Sequence, residues 1–167
     1  NKSNLVDADL SGVIIGLSLQ TKPEHIYRAL LEATAFGANS IIRNYEKHGI
    51  SVDTITACGG IAEKNSLLMQ IYADVLERPV YVNHCRQAAA LGAAIHAATA
   101  AGKGSGGWAT VYDAIEAMAD RRFTPYFPCE KSSQTYRKLM NEYVLLHDYF
   151  GCHGNDVMKR LRSLQNT

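Results

Sequence analysis

Apolar and polar positions along the chain alternate between strand-like and helix-like periods. Gly12 to Leu19 (GVIIGLSL) is a short apolar run rich in β-branched residues and reads as a buried strand. Thr21 then suits a helix N-cap, Glu24 three residues on completes a capping box, and Pro23 falls in the first turn, where its missing N–H costs nothing. Ile26, Ala29, Leu30, Ala33, Phe36 and Gly37 recur at helical spacing. They predict a helix to about Lys47, stopped by His48-Gly49. Asp53 to Cys58 (DTITAC) reads as a second strand, followed at once by Gly59-Gly60. A helix from Asn65 or Ser66 places Leu68, Ile71, Tyr72 and Val75 on one face, and Arg78-Pro79 ends it.

Pro79 to Asn83 (PVYVN) is a third strand, and Gln87 to Ala101 a helix of small residues closed by Gly102. Thr110 and Asp113 open a short helix to about Met118, and Pro125 and Pro128 mark an extended stretch. Ser132 or Ser133 is expected to cap a final helix whose apolar face is Tyr136, Leu139, Met140, Tyr143, Leu146 and Phe150, with Gly151 at its end. The tail from Cys152 to Thr167 is basic, weakly helical and expected to be solvated at Lys159, Arg160 and Arg162. The alternation of strand and helix predicts an α/β fold with a largely parallel sheet.

Composition narrows the function classes. A net charge of +1 gives no electrostatic footprint for nucleic acid. No apolar run approaches the roughly 18 residues of a membrane span, and Asn1 to Ser11 hold no signal-peptide core. Cys58, Cys85, Cys129 and Cys152 form no CxxC pair, so no metal site is expected. Four reduced thiols in a cytoplasmic protein is the simpler reading. The chain does not open on methionine and reads as cut from something longer.

The segment with the most chemistry is strand, Gly59-Gly60, helix. Adjacent glycines let backbone approach a ligand closely, and a helix start beyond them offers free N–H groups to a phosphate or ribose. A plain tight turn competes with that reading, and a dinucleotide-binding turn does not fit, because GGIAEKN lacks GxGxxG. GKGSGG (Gly102 to Gly107) lacks the P-loop spacing and reads as a connector. His25, His96 and His147 read as packed or surface histidines, and Arg28 and Glu32 as a helix-surface pair.

ACGGIAEKNSLLMQIYADVLERPVYV followed by QAAALGAAIHAATAAG is similar to the FGGY family of carbohydrate kinases. A Gly-Gly turn, an Asn, a Gln, an Ala-Asp pair and an ALGAA segment recur there in this order. Here they are Gly59-Gly60, Asn65, Gln70, Ala73-Asp74 and Ala90 to Ala94. The upstream GVIIGLSLQTKPEHIYRALLEATAFGA matches as well. Gly107-Trp108, Tyr112, Met118 and the LHDYFG of Leu146 to Gly151 resemble the branch acting on L-ribulose. The likeness covers about residues 4 to 151. Ser66, where members often carry Pro, is a departure without consequence for a first helical turn.

The resemblance implies a ribonuclease-H-like (actin-like ATPase) domain, incomplete at its N-terminal strands, over residues 1–151, with 152–167 as a tail. It implies ATP and Mg²⁺ as cofactors. Gly59, Gly60 and Ile61 would pack on the adenosine and its α-phosphate, with Lys64 and Asn65 beside the adenine. The implied reaction moves the γ-phosphate of ATP to a ketopentose, L-ribulose first, with xylulose, glycerol or a related polyol as alternatives. An actin-like nucleotide-binding interaction module is the reading from a different class. The catalytic base and most sugar contacts are expected upstream, so Asp7, Asp9, Asp53 and Asp74 are not assigned to catalysis. Asp74 is expected to serve packing or capping. The chain alone is expected to be inactive. Its partners would be ATP and a sugar bound mainly by the missing N-terminal domain, with no nucleic acid and no membrane. A homo-oligomer is compatible with the sequence.

Overall fold

The computed structural model describes residues 5–152 and 154–165. Seven helices and three strands follow in order among them: α1 (Pro23–Lys47), β1 (Ile55–Ala57), α2 (Gly60–Lys64), α3 (Ser66–Leu76), β2 (Val80–Asn83), α4 (Ala88–Ala101), α5 (Val111–Met118), β3 (Phe123–Tyr126), α6 (Glu130–Gly151) and α7 (Val157–Gln165). The chain divides into two compact units. One comprises Asn1–Asp53, Ile71–Arg78 and Pro128–Thr167, the other Thr54–Gln70 and Pro79–Phe127. The boundary falls within α3.

The first unit is helical. Ala35 and Phe36 of α1, Ile71 and Val75 of α3, and Tyr136 and Met140 of α6 form one buried cluster, with Leu31, Tyr72, Tyr143 and Val144 packed around it. Phe36 meets Tyr136 edge-on at 6.0 Å and Tyr143 at 5.4 Å, within the range of favourable aromatic pairs. Polar groups in this core are satisfied. The Asn39 amide donates to the Val75 carbonyl at 2.9 Å, and the Ser133 hydroxyl donates to the Asp74 carbonyl at 2.8 Å. The Asp74 carboxylate accepts from the Cys129 N–H at 2.8 Å, at the N-terminus of α6, where a negative charge opposes the helix dipole favourably. Asp74 thus serves capping, as its helical position suggested.

The expected α1 face is only partly right. Phe36 is buried, but Ala29, Leu30 and Ala33 are exposed, and the buried stripe runs through Ala35, Phe36 and Asn39. The helix starts one residue later than a Thr21 cap requires. Lys22 occupies the N-cap, and the His25 ring, not Glu24, accepts from its N–H at 3.3 Å. Thr21 instead accepts from the Ser18 N–H at 2.9 Å. Similarly, Cys129 and not Ser132 or Ser133 stands at the N-cap of α6, and Ser133 is drawn into the core. On α6, Tyr136 and Met140 are buried as expected, but Leu139 is 42% exposed and Leu146 also faces outward. The tail is not simply solvated: Met158 of α7 is buried, Lys159 pairs with Asp7 at 3.1 Å, and Arg162 pairs with Asp9 at 3.6 Å.

Gly12 to Leu19 corrects the first strand expectation. It pairs with nothing regular and is exposed along its whole length, Ile14 at 55%. A β-branched run fixes extended backbone, yet a strand also needs a neighbour to take its N–H and C=O groups. None lies beside it among the described residues.

The second unit carries a three-stranded sheet in the order β1-β2-β3. β1 and β2 are parallel, with Ile55 opposite Val80, and β3 runs antiparallel to β2, with Val80 opposite Tyr126. The sheet is therefore mixed rather than largely parallel. Pro125 is tolerated because β3 is an edge. Thr110 caps α5 as expected, accepting from the Asp113 N–H at 3.1 Å. α4, mostly alanine, is an intrinsically good helix. Gly107 sits so close to the Ala98 carbonyl that a Cβ there would collide with backbone.

Candidate functional site

The Gly59-Gly60 turn leaves β1 and enters α2, a five-residue helix in the stretch read from sequence as turn, and α3 begins at Ser66, as expected. Gly59 holds φ +97°, a conformation that a residue with a Cβ adopts only with strain. At Gly60 a Cβ would find open space, with nothing within 4 Å. The turn therefore relies on glycine for its backbone conformation at Gly59, and space is open beside both glycines. Asn65 links the two helices. Its side-chain oxygen accepts from the Leu68 N–H at 2.9 Å and so caps α3, leaving its amide NH₂ group to donate. Ile61 is on the surface.

A cavity of about 420 Å³ opens at this turn, lined by Gly60, Glu63, Lys64 and Arg86. Two of the five expected nucleotide residues, Gly60 and Lys64, are thus brought to one concavity, while Gly59, Ile61 and Asn65 flank it in the chain. Glu63 and Arg86 were not foreseen. Arg86 comes from the loop between β2 and α4, 22 positions beyond Lys64 (86 − 64), and no local pattern links them. The Arg86 Nε lies 3.4 Å from the Glu63 carboxylate. The Gln70 amide donates to the Phe127 carbonyl at 2.9 Å, holding the start of α3 to the end of β3 within the same unit.

Elsewhere, Arg28 and Glu32 form the expected pair at 2.8 Å and share it with Tyr136, whose hydroxyl donates to Glu32 at 2.9 Å. Burial pushes the Tyr136 hydroxyl above its ordinary value. His96 is exposed, and His147 stacks on Tyr143 at 5.9 Å. Among the described residues, His147, Asp148 and Cys152 bring potential metal ligands within 4.8 Å of one another at the exposed end of α6. Cysteine spacing alone does not reveal such a mixed trio. Its members already bond among themselves, His147 Nδ1 with the Asp148 carboxylate at 3.0 Å. The four thiols are all free.

The fold class follows from solved structures. The xylulose kinase of Rhodospirillum rubrum superposes with a TM-score of 0.69 at 28% identity, over 85% of this chain and 28% of that one. The gluconate kinase of Lactobacillus acidophilus, at 23% identity, shares the fold with a TM-score of 0.69 over 89% of this chain and 29% of that one. This is the actin-like ATPase architecture of sugar kinases, and the small sheet is consistent with an incomplete domain of that kind. The sequence gives the family itself. Residues 1–101 match the model described as FGGY family of carbohydrate kinases, C-terminal domain, and the chain belongs to that family. It is 50% identical to a protein named ribulokinase from Geobacillus thermodenitrificans over all 167 residues, which are 30% of that protein. The chain thus spans about a third of the length of the curated relatives it matches. No helix among the described residues is long and apolar enough to cross a membrane.

Proposed function

We propose that this chain forms the nucleotide-binding part of an ATP-dependent sugar kinase that transfers the γ-phosphate of ATP to a ketopentose, L-ribulose. The open glycine turn beside a cavity large enough for a nucleoside carries this reading, and the identity to ribulokinases favours the sugar. Gly59, Gly60 and Ile61 are assigned to the adenosine and α-phosphate, Lys64 and Asn65 to the adenine. The Gly60 position fits, because the space that a Cβ would fill is free for a ligand. Mg²⁺ would neutralise charge on the phosphates. Glu63 is the one carboxylate lining the cavity, and no residue of this chain is assigned to the ion.

Within this reading, residues 1–151 are kinase domain and 152–167 an appended tail, in a cytoplasmic enzyme. The base that deprotonates the sugar hydroxyl and most sugar contacts lie outside these residues. The 167-residue chain alone therefore binds ATP weakly at best and turns over no sugar. Two observations support this: β1 is a sheet edge, and the apolar run Gly12 to Leu19 is uncovered. Gly60→Val in a protein of the relatives' full length fills the approach to the turn. ATP affinity should fall at least about tenfold, or about 1.4 kcal/mol. Unchanged affinity in a folded variant overturns the assignment, and turnover of L-ribulose by the 167-residue chain overturns the division of labour.

A further inference from the structure

The lining of the cavity beside the glycine turn combines an acceptor and a donor from two separate segments. Glu63 is on α2, and Arg86 is on the loop after β2. Their contact is long, 3.4 Å, and involves only Nε of Arg86, whose side chain is 82% exposed. Both Nη groups and the planar face of the guanidinium remain for a ligand. A phosphate on this wall would meet the Glu63 carboxylate, and like charges repel. A nucleobase would not. It carries both donors and acceptors on its edge, and a π-face on which a guanidinium stacks.

We propose that Glu63 and Arg86 read the nucleobase, the carboxylate accepting from the exocyclic amine of adenine and the guanidinium covering the ring. This rests on the nucleotide reading of the same cavity. It adds a selection rule: a purine with a carbonyl in place of the amine, as in inosine or guanosine triphosphate, sets two acceptors against each other at Glu63. Glutamine there, which presents a donor as well as an acceptor, accommodates either base.

The test uses a protein of the relatives' full length, with ATP and ITP as phosphoryl donors. Arg86→Ala should raise the KM for both donors roughly fivefold to tenfold, the scale of a stacked guanidinium contact, with kcat little changed. Glu63→Gln should collapse the ATP-over-ITP preference while preserving kcat. Both side chains are solvent-facing, so circular dichroism and the thermal midpoint should match the parent protein and exclude misfolding as the cause. Unchanged KM and preference in both variants, with Gly60→Val still weakening ATP binding, overturns the inference and leaves the nucleotide site standing. If Gly60→Val is also silent, the site itself is misassigned and both readings fall. If Arg86→Ala weakens inhibition by inorganic tripolyphosphate as much as it weakens ATP, Arg86 holds phosphate and the base-reading assignment is wrong.

Discussion

Replacing Met140 by alanine should separate the core of α6 from its surface. Met140 is 1% exposed and sits in the cluster with Phe36, Ile71, Val75 and Tyr136. The substitution removes three methylene-sized groups. At about 0.8 kcal/mol each this is about 2.4 kcal/mol of lost transfer energy. The cavity left among aromatic neighbours adds to that, giving a total within about 2–5 kcal/mol. Its neighbour Leu139 lies on the same helix but is 42% exposed, so Leu139→Ala leaves no closed cavity and should cost less than about 1.5 kcal/mol. Urea unfolding of both variants, followed by circular dichroism, measures the difference between the midpoints. Equal losses for the two substitutions would refute the packing described for α6. A greater loss at Leu139 would mean that Leu139, not Met140, faces the core.

Asp74→Ala should destabilise the helical unit by about 1–3 kcal/mol, because the Cys129 N–H loses a charged acceptor. Asp74→Asn, which keeps an oxygen, should cost less, and equal thermal midpoints for all three proteins would refute the cap. Gly107→Ala should lower the thermal midpoint, since its Cβ collides with the Ala98 carbonyl, and a neutral result would show that this loop gives way freely. Side-chain and backbone hydrogen bonds from Arg122 hold the Asp120 carboxyl down from 3.8 to about 2. A depressed carboxylate contributes its stability above the unfolded value and loses it as pH falls through the folded one, here between about 4 and 2. Arg122→Ala should return the Asp120 titration, followed by NMR, toward 3.8, and an unmoved titration would exclude Arg122 as the cause.

Elements whose determinants are local were legible in the sequence. Thr110 with Asp113, the alanine-rich α4 and the His48-Gly49 stop need only their own neighbours, and each lies within a residue or so of the position expected. Elements that depend on distant chain were not. Gly12 to Leu19 has strand composition, but pairing is a property of two segments. Ser133 looks like a cap until α6 is seen to start after Cys129, leaving Ser133 inside the helix, where its hydroxyl donates to the Asp74 main-chain carbonyl. The α1 stripe is shifted because α3 and α6 decide which face is covered, and periodicity gives only the spacing. At the candidate site the glycines announced themselves by residue type. Glu63 and Arg86 are ordinary surface residues in sequence and become a wall only when the loop after β2 returns to α2.

The discontinuity of the helical unit has a consequence during synthesis. Phe36 and Tyr136 touch in the core but are 100 positions apart (136 − 36), with the sheet-bearing unit encoded between them. At about 5–20 residues per second, α1 leaves the ribosome roughly 5–20 s before its partner exists. For that interval Phe36 has no aromatic neighbour to cover it. The sheet-bearing unit, whose later segment ends at Phe127, is entirely made before α6 begins at Glu130. The nascent chain is therefore adhesive from the emergence of α1 until α6 follows it and covers Phe36.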